Sequence, residues 1–179
     1  MRSRSLTFGC RCAFKIFFGL KDRRATYIII VKSIAKLCRT GYNICMAVFL
    51  SDSESSTLNF ATEYAKTLES GDVVLLDGEM GAGKTVFVKG IAKGLGIEDE
   101  ILSPTYAYMN DYYGKLYHYD CYRLSCGAQA ERLGLCDYFY ADGICVIEWA
   151  QNIEDVLPEN CKRVKILKLS ENKREIICE

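Results

Sequence analysis

Gly78-Glu79-Met80-Gly81-Ala82-Gly83-Lys84-Thr85 fits the pattern G-x-x-x-x-G-K-[ST], a loop that cradles phosphate. Its three glycines let the backbone curl so that successive N–H groups point at phosphate oxygens. A helix beginning near Lys84 adds its positive dipole end. Lys84 can then reach the β- and γ-phosphates of a nucleotide, and the Thr85 hydroxyl can ligate Mg²⁺. Such a loop needs a carboxylate at the end of a neighbouring strand to hold or orient the metal. Two acids qualify. Glu148 closes the run Ile144-Cys145-Val146-Ile147, and Asp120 closes Leu116-Tyr117-His118-Tyr119. Glu148 is expected to serve the metal directly or through water, and Asp120 to belong to the metal shell or to position the attacking water. The bland alternative for either acid is a solvated strand end.

These groups need elements to hold them in place. Ala47-Val48-Phe49-Leu50 reads as a short strand and Ser51-Asp52-Ser53-Glu54 as a helix start. Leu58, Ala61, Ala65 and Leu68 recur at helical spacing, which predicts an amphipathic helix over about 54–69, with Gly71 at its left-handed cap. A buried strand is predicted over 72–76 and a helix over about 84–94, carrying Phe87, Ile91 and Leu95 on one face and ended by Gly94 and Gly96. Residues 106–109 and 116–119 read as paired strands around Tyr113-Gly114-Lys115, residues 126–140 as helix, and 144–147 as a second buried strand. Residues 164–169 and 175–178 read as a closing hairpin around Glu171-Asn172-Lys173. Strands alternating with helices indicate an α/β sheet, partly parallel.

The chain has 179 residues, half of them hydrophobic, which suits one packed domain. Its 23 basic and 23 acidic side chains are unevenly placed. Residues 1–45 hold ten Lys/Arg and one acid, and residues 46–179 hold thirteen Lys/Arg and twenty-two acids, a net of −9. That balance argues against a domain that grips nucleic acid over a broad face by itself. Three readings compete for the basic stretch 1–45: a targeting arm, a segment touching RNA or acidic lipid, or an over-extended reading frame with Met46 as the start. The third is favoured because Met46 directly precedes a strand that the fold needs. No apolar run approaches the roughly 18–20 residues of a membrane-spanning helix. The ten cysteines contain no CxxC pair, so small buried reduced thiols in a cytosolic protein are expected rather than a zinc site or a disulfide framework.

Three further blocks accompany the phosphate loop: Ser103-Pro104-Thr105-Tyr106, His118-Tyr119-Asp120-Cys121-Tyr122-Arg123-Leu124 (H-x-D-x-Y-R-L), and Glu148-Trp149 after its strand. In this order and spacing the chain closely resembles the TsaE (YjeE) family over roughly residues 46–160. The resemblance implies a P-loop NTPase-like three-layer sandwich with a mixed, partly parallel central sheet. It also implies an ATPase needed for threonylcarbamoyladenosine in tRNA, using ATP and Mg²⁺ and acting on the TsaB–TsaD pair that transfers the threonylcarbamoyl group. Contact with tRNA would be indirect, through that complex, with no membrane involved. Carried across, Glu79, Met80, Gly81, Ala82, Gly83, Lys84 and Thr85 hold the phosphates, and Thr85 and Glu148 hold Mg²⁺. Asp120 belongs to a motif implicated in catalysis, Ser103 and Thr105 to a switch-like loop near the γ-phosphate, and Thr57 to a position close to the base. The sequence departs from the family in its first 45 residues. It carries only one acid in Ser125–Glu131, and has Ala150-Gln151 after Glu148-Trp149.

Four features invite over-reading. His118, the sole histidine, reads as a structural or partner-facing side chain rather than a base, because phosphoryl transfer depends on positioning and charge. Arg123 either stabilises transition-state charge or pairs with an acid such as Glu131, and Trp149 either stacks or fills the core edge. The seven tyrosines from Tyr106 to Tyr122 read as a strand-rich aromatic core. Competing functions are a P-loop small-molecule kinase and a nucleotide-sensing adaptor without useful hydrolysis. After Thr85 only Arg123, Arg132, Arg163 and Arg174 are present, none clustered as a kinase lid would require.

Overall fold

The computed structural model describes Ile29–Ile30 and residues 47–179. The readings made for residues 1–45 therefore lie outside the described residues, apart from that two-residue strand. Eight strands form one sheet: β1 (Ile29–Ile30), β2 (Ala47–Ser51), β3 (Val73–Asp77), β4 (Met109–Tyr112), β5 (Leu116–Asp120), β6 (Ile144–Glu148), β7 (Cys161–Lys168) and β8 (Arg174–Cys178). Their order is β1-β2-β8-β7-β3-β6-β5-β4. The four central strands β7, β3, β6 and β5 run parallel, and the flanking pairs are antiparallel. This is the mixed α/β sheet the alternation predicts, and each face carries its own apolar cluster.

On one face, helices α1 (Glu54–Ala65) and α2 (Lys84–Gly94) cover Val74, Leu76, Leu116, Val146, Val164, Ile166 and Ile176. On the other, the short helix α3 (Gly127–Arg132) and two 3-10 segments, Leu135–Tyr140 and Ala150–Val156, cover Leu75, Tyr117, Tyr119, Cys145 and Ile147. Strand alternation assigns the faces: in β5 residues 116, 118 and 120 point one way and 117 and 119 the other. Parallel strands apolar on both faces, such as β3 over residues 73–76, are buried because a helical layer lies on each side.

Local chemistry sets where the elements end. Ser53 caps α1, its hydroxyl accepting from the Ser56 N–H at 3.2 Å. Helix α2 ends in a left-handed Gly96, with Ile97 N–H bonded to Ala92 O at 2.9 Å and Gly96 N–H to Lys93 O at 3.2 Å. The Tyr113-Gly114 turn has positive φ at both central residues, the form that matches strand twist, and it joins β4 to β5.

Several expectations are corrected. Helix α1 stops at Ala65, not 69: the amides of Lys66, Thr67 and Leu68 bond three residues back, tightening and ending it. Gly71 is therefore no helix cap; its N–H bonds to Gly143 O at 2.9 Å across the sheet edge. Tyr106-Ala107-Tyr108 is a turn rather than a strand, because the Ala107 and Tyr108 amides both bond the Pro104 carbonyl, so β4 begins at Met109. The predicted helix over 126–140 breaks at left-handed Gly134 into α3 and a 3-10 segment. The tyrosine run splits too: Tyr112, Tyr117 and Tyr119 are core, whereas Tyr106, Tyr113 and Tyr122 are exposed. The six described cysteines are all free; Cys121, Cys145 and Cys178 are buried as expected, but Cys126 is exposed.

Candidate functional site

The loop from Gly78 to Gly83 leaves β3, flanked by β6 and β7, and turns into α2 at Lys84. It thus opens at the carboxyl edge of the parallel strands, where open α/β sheets bind ligands. Gly83 has φ 106° and Gly81 φ 76°, values that disfavour any side chain. Gly78 is needed for a different reason: a Cβ there would lie 2.8 Å from the Ile166 carbonyl oxygen of β7. The curl is therefore built into the sheet, and Ala82, fully buried, anchors its floor.

Lys84 does not extend into solvent as a surface-loop lysine would; it is only 6% exposed. Its Nζ donates to Gly78 O at 2.8 Å and Glu79 O at 3.1 Å. It lies 3.8 Å from Glu148 Oε2 and 4.6 Å above the Trp149 ring. The register explains the meeting. Leu76 pairs with Glu148 on the adjacent strand, so the β6 carboxylate emerges beside the root of the loop. Trp149, directly after it, has φ 60°, a conformation that costs a non-glycine residue roughly 1–2 kcal/mol and places its ring against both Lys84 and Tyr122.

One strand further out, Asp120 pairs in register with Glu148. Its Oδ2 accepts from Thr105 Oγ1 at 2.6 Å and Ser103 Oγ at 3.2 Å, and its Oδ1 from the Tyr122 N–H at 3.0 Å. Asp120 is thus already held by three donors, and the Ser103–Thr105 loop is docked on it. Glu148 accepts on Oε1 from His118 Nε2 at 3.0 Å and keeps Oε2 toward Lys84. Neither acid is a solvated strand end, since each is 4% exposed. Beside Asp120, burial and then the Asp120 charge push the Cys121 thiol up to about 12, so no reactive thiolate belongs to this site.

The donor set fits a hard cation. Thr85 and Glu148 offer oxygens, and the Thr85 hydroxyl makes no hydrogen bond among the described residues. Among those residues no group of three or more His, Cys, Asp or Glu could hold a metal ion. Mg²⁺ bound by one or two protein oxygens plus substrate phosphates needs no such group.

The structure therefore joins the phosphate loop, Lys84 and Glu148 in one place, with Asp120, Ser103 and Thr105 one strand away. Thr57 stands apart from them. Its buried hydroxyl bonds Ser51 at 2.7 Å, and Ser51 pairs in register with Arg174, whose Nε donates to Ala82 O at 3.2 Å. Arg174 is a contact that the sequence reading missed, since it lies 92 residues from Ala82, the loop residue it touches. His118 is fully buried, so it does not face a partner, and its contact with Glu148 was not foreseen; the shared parity of 118 and 120 on β5 was the available signal. Arg123 forms no ion pair with Glu131 among the described residues; its guanidinium sits 4.3 Å over the Tyr106 ring.

Residues 51–176 match the family model described as "Threonylcarbamoyl adenosine biosynthesis protein TsaE". Among curated relatives, the tRNA threonylcarbamoyladenosine biosynthesis protein TsaE of Treponema pallidum is 41% identical over 129 residues, covering 71% of this chain and 96% of its own. The protein of the same name in Bacillus subtilis is 43% identical over 109 residues, covering 59% of this chain and 68% of its own. The crystal structure of Bacillus subtilis YdiB superposes with a TM-score of 0.64 at 34% identity, covering 76% of this chain and 86% of that one.

Proposed function

The chain belongs to the TsaE family of tRNA threonylcarbamoyladenosine biosynthesis, and from that premise we propose that it is a Mg²⁺-dependent ATPase acting on the TsaB–TsaD pair. The observation that carries this reading is the approach of Lys84 to Glu148, at 3.8 Å, across the mouth of a phosphate-binding loop. A loop lysine and a strand-end carboxylate from separate elements, both buried, are the positive and negative groups that a metal-bound triphosphate needs.

In this reading residues 46–179 are the ATPase domain. Main-chain N–H groups from Glu79 to Thr85 bind phosphate oxygens, and Lys84 exchanges its bonds to the Gly78 and Glu79 carbonyls for the β- and γ-phosphates. Thr85 and Glu148 hold Mg²⁺, which when bound neutralises charge on the phosphate oxygens. Asp120, with its orientation fixed by Ser103, Thr105 and the Tyr122 amide, positions the attacking water. Thr57 is assigned to the base end of the site by the family resemblance, with its buried hydroxyl bonded to Ser51. Transfer of the threonylcarbamoyl group belongs to the partners, tRNA is met only through them, and the cytoplasm is the place for that work. Among the described residues no helix is long and apolar enough to cross a membrane.

The arginines weigh against a small-molecule kinase. Arg123 stacks on Tyr106, Arg132 bonds Ala128 O, Arg163 faces Asp77 and Glu154, and Arg174 bonds Ala82 O. Four cations so dispersed make no lid over a phosphate site.

The test is hydrolysis of ATP by the purified chain, alone and with TsaB and TsaD, alongside nucleotide-dependent co-purification of the three. Slow turnover alone and ATP-dependent association are expected. Lys84→Ala should lower turnover by about 100-fold or more, the scale of losing one charge-stabilising donor. Nucleotide binding with no turnover in any mixture would replace this reading with the adaptor.

A further inference from the structure

His118 is fully buried, yet only one of its ring nitrogens has a partner. Nε2 lies 3.0 Å from Glu148 Oε1, while Nδ1 is a buried atom without any hydrogen bond among the described residues. A carboxylate only accepts, so the proton of the neutral ring sits on Nε2 and Nδ1 is a bare acceptor. Packing alone does not explain an imidazole there. Its face of the sheet carries Leu116, Ile144 and Val146, and an apolar side chain of similar shape would fill the space without stranding a nitrogen.

We propose that His118 is a positioning residue for Glu148, holding Oε1 so that Oε2 is presented to Lys84 and the metal position. The inference rests on the reading of Glu148 as the metal carboxylate. The geometry supplies the reason. The terminal torsion of a glutamate is broad, so the side chain by itself does not fix the plane of its carboxylate, and a donor on one oxygen sets where the other points. His118 and Asp120 share one face of β5, and Asp120 stands opposite Glu148, so the imidazole approaches Glu148 diagonally from one pleat back. One oxygen is thereby held by the ring, and the other is the one 3.8 Å from Lys84 Nζ. Partners of this kind, bonded to a ligand rather than to the metal, set ligand orientation and typically change metal affinity by about 10–100-fold.

The experiment measures Mn²⁺ binding to the full chain in the presence of ADP by electron paramagnetic resonance, with metal-free ADP binding measured separately. His118→Leu should weaken Mn²⁺ binding by about 10-fold or more while leaving metal-free ADP binding unchanged. His118→Gln, whose amide N–H reaches about as far as Nε2, should restore most of the affinity. His118→Asn is too short and should not. If His118→Leu fails to fold, the contrast between Gln and Asn decides. Equal Mn²⁺ affinity in wild type and His118→Leu, or His118→Gln no better than His118→Asn, overturns the proposal. Loss of Mn²⁺ binding in Glu148→Gln alongside full binding in His118→Leu overturns the positioning role alone. Wild-type protein that binds no Mn²⁺ with ADP overturns the metal reading on which it rests.

Discussion

The two ends of the parallel strands each carry a lysine–carboxylate pair, and the pairs differ in kind. At the amino edge, Lys162 donates to Asp72, both partly open to solvent, and Asp72 also accepts the Glu69 N–H at 2.7 Å. Around them, Gly71 N–H bonds Gly143 O, Cys145 N–H bonds Asp72 O and Ile144 N–H bonds Lys115 O, at 2.9 to 3.0 Å. These groups answer one another, and the result is a tied-off seam. At the carboxyl edge Lys84 and Glu148 are almost fully buried yet 3.8 Å apart, His118 Nδ1 is unmatched, and Trp149 holds a strained backbone. Buried polar groups left under-satisfied are costly, so they persist where something other than stability retains them. The amino edge closes the fold, and the carboxyl edge carries the groups that the proposed function assigns to a ligand.

Mutations can break that contrast. The largest effect should come from Glu148→Ala, expected to lower Mg²⁺-dependent hydrolysis by about 100-fold while metal-free nucleotide binding persists. Wild-type hydrolysis from that variant would move the metal role to Asp120. Next comes Gly143→Ala at the amino edge. The new Cβ would lie 2.6 Å from the Gly114 carbonyl oxygen and 2.5 Å from the Tyr117 ring. Overpacking of this sort costs about 1–3 kcal/mol, so chemical denaturation should show that loss with hydrolysis per folded molecule unchanged. The smallest effect should be Lys162→Ala, at most about 1 kcal/mol, as for other part-exposed ion pairs, and erased by salt. Impaired hydrolysis in either amino-edge variant at full folding would show that the two ends are coupled rather than distinct.

Legibility depended on whether a single residue overrode the pattern of its neighbours. Ser53 capping α1, the Schellman end at Gly96 and the Tyr113-Gly114 turn each depend on a few adjacent residues, and each is where the sequence puts it. The errors arose where one atom outside the pattern decided. The Pro104 carbonyl captured two amides and turned Tyr106–Tyr108 out of the sheet, and Gly134 broke a helical period that its neighbours supported. Aromatic content could not separate Tyr119, sealed under Phe139, from Tyr106, exposed beneath Arg123, because composition carries no direction.

By itself the sequence determined the phosphate loop, since the glycines, lysine and threonine are contiguous and their conformations are local. It also determined that acids end two buried strands. Only the tertiary structure decided that β6 lies beside β3, which sets Glu148 against Lys84, that β5 lies beyond it with Asp120 clasping the Ser103–Thr105 loop, and that His118 grips Glu148. The physical reason is that strand adjacency is a non-local choice. It is fixed by which apolar faces bury together under α1 and α2, and no local preference of the residues concerned encodes it.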